Sequence, residues 1–293
     1  MKMKFLVASL AFALLSVLLI GCGTEETSGN DTDSETEKGT ITVGVTPWSS
    51  TVPPTNIAKL LLEDLGYTVE LQSADAGAVY TGMSRGDIDV FMDAWLPDMH
   101  GHFMERYGDD IDQTALSYPD GELGWVVPSY VEGIDSIDDL KGNEEMFDGK
   151  VYGIEEGGGM TITSREMIEE LGFDLEYVSS SEAGMLSQAM REIGQEEPVL
   201  FLGWRPHTMF VNWDIKVLEG QEEYFPTSEI HVLTNINFQD TAPAAYEFLS
   251  NWSMPVEEIE KMIAEIEDGA DEVEVAREWI ENNQQHVSEM LGE

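Results

Sequence analysis

The feature that most constrains this chain is an alternation, met twice, between short β-branched runs and amphipathic helical stretches. From Thr40, Ile41 to Val45 reads as a strand, and Ile57, Leu60, Leu61 and Leu65 share one face of a helix over 56–65. Tyr67 to Leu71 is strand-like again, Ala78 to Arg85 is helical, and Ile88 to Met92 is a strand that follows Gly86. The pattern restarts with a strand at 150–154, a helix at 162–171 and a strand at 175–178. A stripe follows at Leu186, Ala189, Met190 and Ile193, and then an apolar run from Val199 to Leu202. Units of this βαβ kind favour a mainly parallel sheet covered by helices, so the expected fold is α/β with two lobes.

The expected organisation is lobe 1 from residues 40–125 and 230–293, with lobe 2 from 126–229. The extended segments Leu123 to Val127 and Ile230 to Thr234 are placed to cross from lobe to lobe. The helical end of the chain, with apolar stripes at Val256, Ile259, Ile263 and Ile266 and at Val273, Ala276, Trp279 and Ile280, should cover lobe 1.

The first 39 residues are of another kind. Lys2 and Lys4 precede an apolar run from Phe5 to Ile20 that is short for a membrane span, and Leu19-Ile20-Gly21-Cys22 closes it. This reads as a signal peptide over 1–21 ending in a lipobox, with Cys22 becoming the acylated N-terminus. Cys22 is the sole cysteine, which excludes an intrachain disulfide and a cysteine zinc site. Residues 22–39 then form an acidic tether without a large apolar side chain. The expected location is extracytoplasmic, on the outer face of the cell membrane through the lipid anchor.

With 14 Lys+Arg against 58 Asp+Glu, the formal charge of −44 makes nucleic acid and anionic headgroups poor partners. Such an acidic surface suits a saline medium, where salt shortens the reach of self-repulsion. Enzyme signatures are missing: there is no G-x-S-x-G elbow, no G-x-x-x-x-G-K-[ST] loop and no H-E-x-x-H. No cofactor and no catalysis are expected.

Three constellations remain. Gly157-Gly158-Gly159 follows a predicted strand and opens a predicted helix, which is either a flexible turn or a cradle of backbone N–H groups for a carboxylate. His100 and His102 with Asp98 have the look of metal ligands without an evident further partner, and a surface hydrolase could use His100 with Asp93 or Asp98, though no nucleophile with a recognisable motif accompanies them. His207, His231 and His286 are isolated. Trp48, Trp95 and Trp204 each stand at the carboxyl end of a predicted strand, where α/β sheets place ligands, so they either meet in one cleft or pack as core. Trp125, Trp213, Trp252 and Trp279 read as packing residues.

Four segments, Gly44-Val-Thr-Pro-Trp48, residues 86–97, residues 153–160 and Leu202-Gly-Trp-Arg-Pro-His207, resemble the glycine betaine/proline betaine-binding components of osmoprotectant ABC importers. The resemblance spans roughly 40–293 and is to the lipid-anchored Gram-positive form. It implies a type II periplasmic-binding-protein fold that closes on a compatible solute and delivers it to a membrane permease. It further implies that Trp48, Trp95 and Trp204 cage the quaternary ammonium, and that His100 and the backbone N–H groups of Gly159 and Met160 bind the carboxylate. Indole faces suit a trimethylammonium group, which has no N–H to donate. The readings kept beside it are a choline or carnitine receptor, a metal-binding receptor and a surface hydrolase.

Overall fold

A computed structural model describes residues 38–293. The signal peptide, the lipidation site at Cys22 and the tether to residue 37 lie outside the described residues. The amide of Lys38 already donates to the Gly66 carbonyl at 3.0 Å, so ordered packing begins two residues before Thr40.

The strands are β1 (Thr40–Val45), β2 (Thr68–Ser73), β3 (Val90–Leu96), β4 (Ile111–Pro128), β5 (Lys150–Gly153), β6 (Glu176–Ser179), β7 (Phe201–Arg205), β8 (Ile215–Val217) and β9 (Ser228–Asn235). The helices that bear on the site are α1 (Val52–Asp64), α2 (Ala76–Arg85), α3 (Gly101–Tyr107), α4 (Gly159–Leu171) and α5 (Glu182–Ile193). The periodicity placed α1, α2, α4, α5 and the early strands within a few residues, and missed α3. The start of α1 was hidden because Pro53 and Pro54 occupy its first turn, where prolines are tolerated for lack of an amide to satisfy.

The sheet order is β2-β1-β3-β9-β4-β7-β5-β6, with β8 on β4. One half, β1 to β3, is built by parallel pairing and closed by antiparallel β9. The other half has β5 parallel to β6 and β7, with β7 and β8 antiparallel to β4. The sheet is therefore mixed rather than mainly parallel. The antiparallel strands in its centre are long-range partners that local periodicity does not reveal.

The halves share one strand. Residues 111–121 of β4 pair with β9, and residues 122–128 pair with β7 and β8. The forward crossing thus lies inside β4, beside a register shift between Tyr118 and Gly121 where Asp120 has φ 62°. Ile230 to Thr234, expected to cross back, is instead an interior strand of the first half, paired on both sides. The return crossing precedes it.

The C-terminal helices Val256–Glu267 and Glu272–Asn282 pack on α1, burying Ile259, Ile263, Ala276 and Trp279. Trp125 and Trp252 are buried and donate their indole N–H groups to Ser164 and Ser117 at 2.9 Å, in keeping with packing roles. Among the described residues, no helix is long and apolar enough to cross a membrane.

Candidate functional site

Three of the sequence-singled residues converge. Trp48, Trp95 and Trp204, with Ser50, Met99 and Ile154, wall a small cavity of about 10 Å³ where the two halves of the sheet face each other. Trp48 sits just past β1 in an extended conformation that leads into the 3-10 turn Ser49–Thr51. Trp95 and Trp204 are each the penultimate residue of a strand, β3 and β7, and each is followed by an X-Pro bond in the cis form, Leu96-Pro97 and Arg205-Pro206. All three indoles are at most 5% exposed.

Each indole is held by a neighbour. Trp95 rests on Gly121 of β4, where an added Cβ would fall 2.7 Å from the Trp95 ring and 2.6 Å from Ile230, so only glycine gives the indole its seat. Its Nε1–H donates to Asp93 at 3.1 Å, and the other oxygen of Asp93 accepts from Ser50 and Thr51 at 2.8 and 2.9 Å. Full burial pushes the Asp93 carboxyl up to about 6 despite these donors, and the charge of Glu182 adds to the rise. Trp48 donates its Nε1–H to Glu155 at 3.0 Å, and burial raises that carboxyl as well. Trp204 stands edge-on to His207, ring centroids 5.0 Å apart, and His207 contacts Glu182 at 3.2 Å.

His100 is fully buried behind the cage and does not line the cavity. Its ring stacks on Trp48 at 5.5 Å and 17°, with Tyr80 and Phe91 alongside. Nδ1 accepts the backbone N–H of Trp95 at 3.0 Å, while buried Nε2 has no hydrogen-bond partner. Desolvation lowers the imidazole to about 3, with a smaller contribution from His102, so near neutral pH the ring is uncharged. With Nδ1 accepting, the proton resides on Nε2, which is a buried donor in want of an acceptor.

Gly159 and Met160 open α4, so their amides are among the first-turn donors that a helix cannot satisfy internally. Both are buried. Gly159 lies against the backbone of Met99, where a Cβ would come within 2.2 Å of the carbonyl oxygen. The close approach joins the start of α4 to the turn that carries His100.

Other singled-out groups do not gather. No group of three or more His, Cys, Asp or Glu suited to a metal ion occurs among the described residues. His102 lies tilted against Phe103, centroids 3.9 Å apart, at the rim of a separate groove, and Asp98 is partly buried with its carboxyl pushed up to about 7 by desolvation. Asp93, considered as a base partner for His100, is instead committed to Ser50, Thr51 and Trp95.

Sequence reasoning passed over Ser50, Met99, Ile154, Gly121, Glu155 and Glu182 as site elements. Ser50 and Met99 were within reach, since each lies within four residues of a cage tryptophan.

The family model described as "Substrate binding domain of ABC-type glycine betaine transport system" matches residues 39–282. The glycine betaine/carnitine transport binding protein GbuC of Listeria monocytogenes is 29% identical over 142 residues, 47% of this chain and 47% of that protein, so the chain spans about half the length of this relative. The crystal structure of lactococcal OpuAC, closed and complexed with glycine betaine, superposes with a TM-score of 0.82 at 26% identity, covering 86% of this chain and 99% of that one. An ABC-transporter choline-binding protein in complex with choline gives a TM-score of 0.82 at 27% identity, covering 86% and 91%.

Proposed function

This chain belongs to the substrate-binding domains of ABC-type glycine betaine transport systems, and from that premise we propose that it captures glycine betaine, or a close betaine such as proline betaine, for delivery to an ABC permease in osmoprotection. The observation that carries the ligand class is the cavity walled by Trp48, Trp95 and Trp204, which has no cationic side chain on its wall. Indole faces attract a quaternary ammonium by about 0.5–2 kcal/mol each once water is excluded. An ordinary ammonium would leave its N–H donors unmet against such walls.

The carboxylate end of the ligand is assigned to the Nε2–H of His100 and the amides of Gly159 and Met160, which lie off the cavity wall and which entry of the ligand has to uncover. The unpartnered donor on the neutral imidazole and the first-turn amides of α4 supply charge-assisted hydrogen bonds and the positive end of a helix. In this reading the protein performs no catalysis and needs no cofactor. The residues from the crossing inside β4 to the start of β9, 122–227, are assigned to lobe 2 and the remainder of 40–293 to lobe 1. Closure brings Trp204 and the α4 amides onto Trp48, Trp95 and His100, and an importer then distinguishes closed from open.

Calorimetry on the domain beginning at Thr40 tests the assignment, titrating glycine betaine, proline betaine, choline, carnitine and proline. Binding of the betaines with proline silent is expected. Choline as the tighter ligand would move the assignment to a choline receptor, and binding of none would remove it. Attachment to the outer face of the cell membrane through acylated Cys22 is part of the proposal. Cys22→Ser should release the protein or leave it unprocessed, and membrane retention after cleavage would contradict the anchor.

A further inference from the structure

Two carboxylates of the second half of the sheet grip one turn of the first. Glu155, just past β5, accepts the indole N–H of Trp48 at 3.0 Å. Glu182, at the start of α5, accepts the next backbone amide, Ser49 N–H, at 3.1 Å through one oxygen. Its other oxygen lies 3.2 Å from Nε2 of His207, whose Nδ1 already accepts the amide of Met209 at 2.9 Å, so the imidazole is the donor. Glu182 is 8% exposed. The chain of contacts from Trp204 through His207 and Glu182 to Ser49 therefore links two cage indoles on opposite sides of the cleft.

These carboxylates are met by hydrogen-bond donors and not by a cationic side chain of lysine or arginine. Among the described residues, no lysine or arginine forms an ion pair with Glu155, Glu182 or Asp93. Burial is what chiefly raises Glu155 and Asp93, and the charge of Glu182 adds a smaller rise to each. Closing the cleft brings the acids of one half toward Asp93 of the other. Their mutual repulsion opposes that movement, and a positive charge between the indoles offsets it. Each N–H···carboxylate contact also places negative charge at the edge of the ring whose face meets the ligand.

Resting on the betaine reading, we propose that Glu155 and Glu182 are positioning residues forming a charge-sensing clasp: they hold the Trp48-Ser49 turn across the cleft and make stable closure depend on the ligand's positive charge rather than on its shape alone.

The test compares glycine betaine with 3,3-dimethylbutanoate, which has the same outline and carboxylate but a carbon in place of the nitrogen. Dissociation constants are measured for wild type, E155Q, E182Q and the double variant. Gln keeps the side-chain shape and one acceptor oxygen. The preference for betaine over the isostere is expected to fall about tenfold in the double variant and by less in each single one. Melting temperatures of the unliganded proteins are followed alongside. A preference unchanged from wild type overturns the clasp, even if both affinities fall together, because equal losses denote a structural role. If E182Q does not fold, E155Q alone decides by the same ratio, since Glu155 is only partly buried. Wild type binding neither compound overturns the betaine reading and the clasp with it, whereas wild type binding betaine with an unmoved ratio overturns the clasp alone.

Discussion

His100 takes the backbone N–H of Trp95 onto its Nδ1 at 3.0 Å, and by doing so fixes its own proton on Nε2. One hydrogen bond thereby sets both the orientation of a cage strand and the identity of a buried donor five residues on. The imidazole is held down to about 3 by desolvation, so its resonances should not titrate between pH 8 and 5 in a nitrogen-15 spectrum. The unfolded chain does take up this proton near the ordinary value of 6.5. The contribution of His100 to stability is therefore fully present above that pH and lost as pH falls from 6.5 toward 3. A midpoint near 6.5 in the folded protein would refute the buried neutral tautomer.

Asp98 has the opposite sign. Its carboxyl is pushed up to about 7 by desolvation, so its stabilising share is complete below the unfolded value of 3.8 and lost as pH rises through 7. Asp98→Asn should melt higher than wild type at pH 8, with the difference closing by pH 4. Each kcal/mol corresponds to about 2–4 °C in a domain of this size. A difference independent of pH would mean that the carboxylate charge is not the cause.

Trp95 is more deeply embedded than a residue at a strand end would suggest. Its indole both faces the cavity and satisfies buried Asp93, so Trp95→Ala should cost about 3–5 kcal/mol of stability as well as affinity. Trp95→Phe separates the two effects. It should keep part of the betaine affinity while losing about 1–3 kcal/mol of stability through the unpaired Asp93 oxygen. Chemical denaturation beside calorimetry measures both, and full affinity in Trp95→Ala would take the residue out of the site.

Gly159→Ala should leave the unliganded protein folded and weaken betaine binding more than tenfold. The new methyl cannot coexist with the Met99 carbonyl, and the strain of such overpacking is about 1–3 kcal/mol or more. Since the contact joins two faces of the cleft, the loss should fall on closure, read as faster dissociation in stopped-flow fluorescence. Unchanged dissociation would place the close approach outside the binding event.

The formal charge of −44 gives a salt prediction of its own. Melting temperature should rise from low salt to molar NaCl as the reach of carboxylate repulsion shrinks from about 10 Å at 0.1 M to about 3 Å at 1 M. Betaine affinity should change far less, because the ligand has no net charge. A steep loss of affinity with salt would point to a cationic ligand.

Much of the α/β architecture was legible because helices and strands bury apolar residues at distinct periods: of the stripe expected on α1, Ile57 and Leu61 are buried and Leu60 and Leu65 half-buried, while Leu62, outside that stripe, is fully buried. The pairing of β9 between β3 and β4 was not legible, since its partners are more than a hundred residues away. The three cage tryptophans announced themselves among seven by standing at the ends of predicted strands. Glu155 and Glu182 did not, and Asp93 was marked only as a base partner for His100, because among 58 acidic residues nothing in the sequence marks the few that end up under an indole or across a cleft. Gly121 was equally silent: its role is an absence of Cβ beneath Trp95, which only the packed structure displays.

The shared strand β4 has a mechanical consequence. Ladder pairing to β9 ends at Gly121 and pairing to β7 begins at Glu122, so no ladder rung bridges the two halves at that junction. The hydrogen-bonded continuity of the sheet passes through a single peptide there, next to a shift in register. Two plates joined this way behave as masses on a torsion bar. Turning one half against the other at that peptide leaves the ladders of each half intact, so each plate keeps its own pairing while their mutual orientation changes.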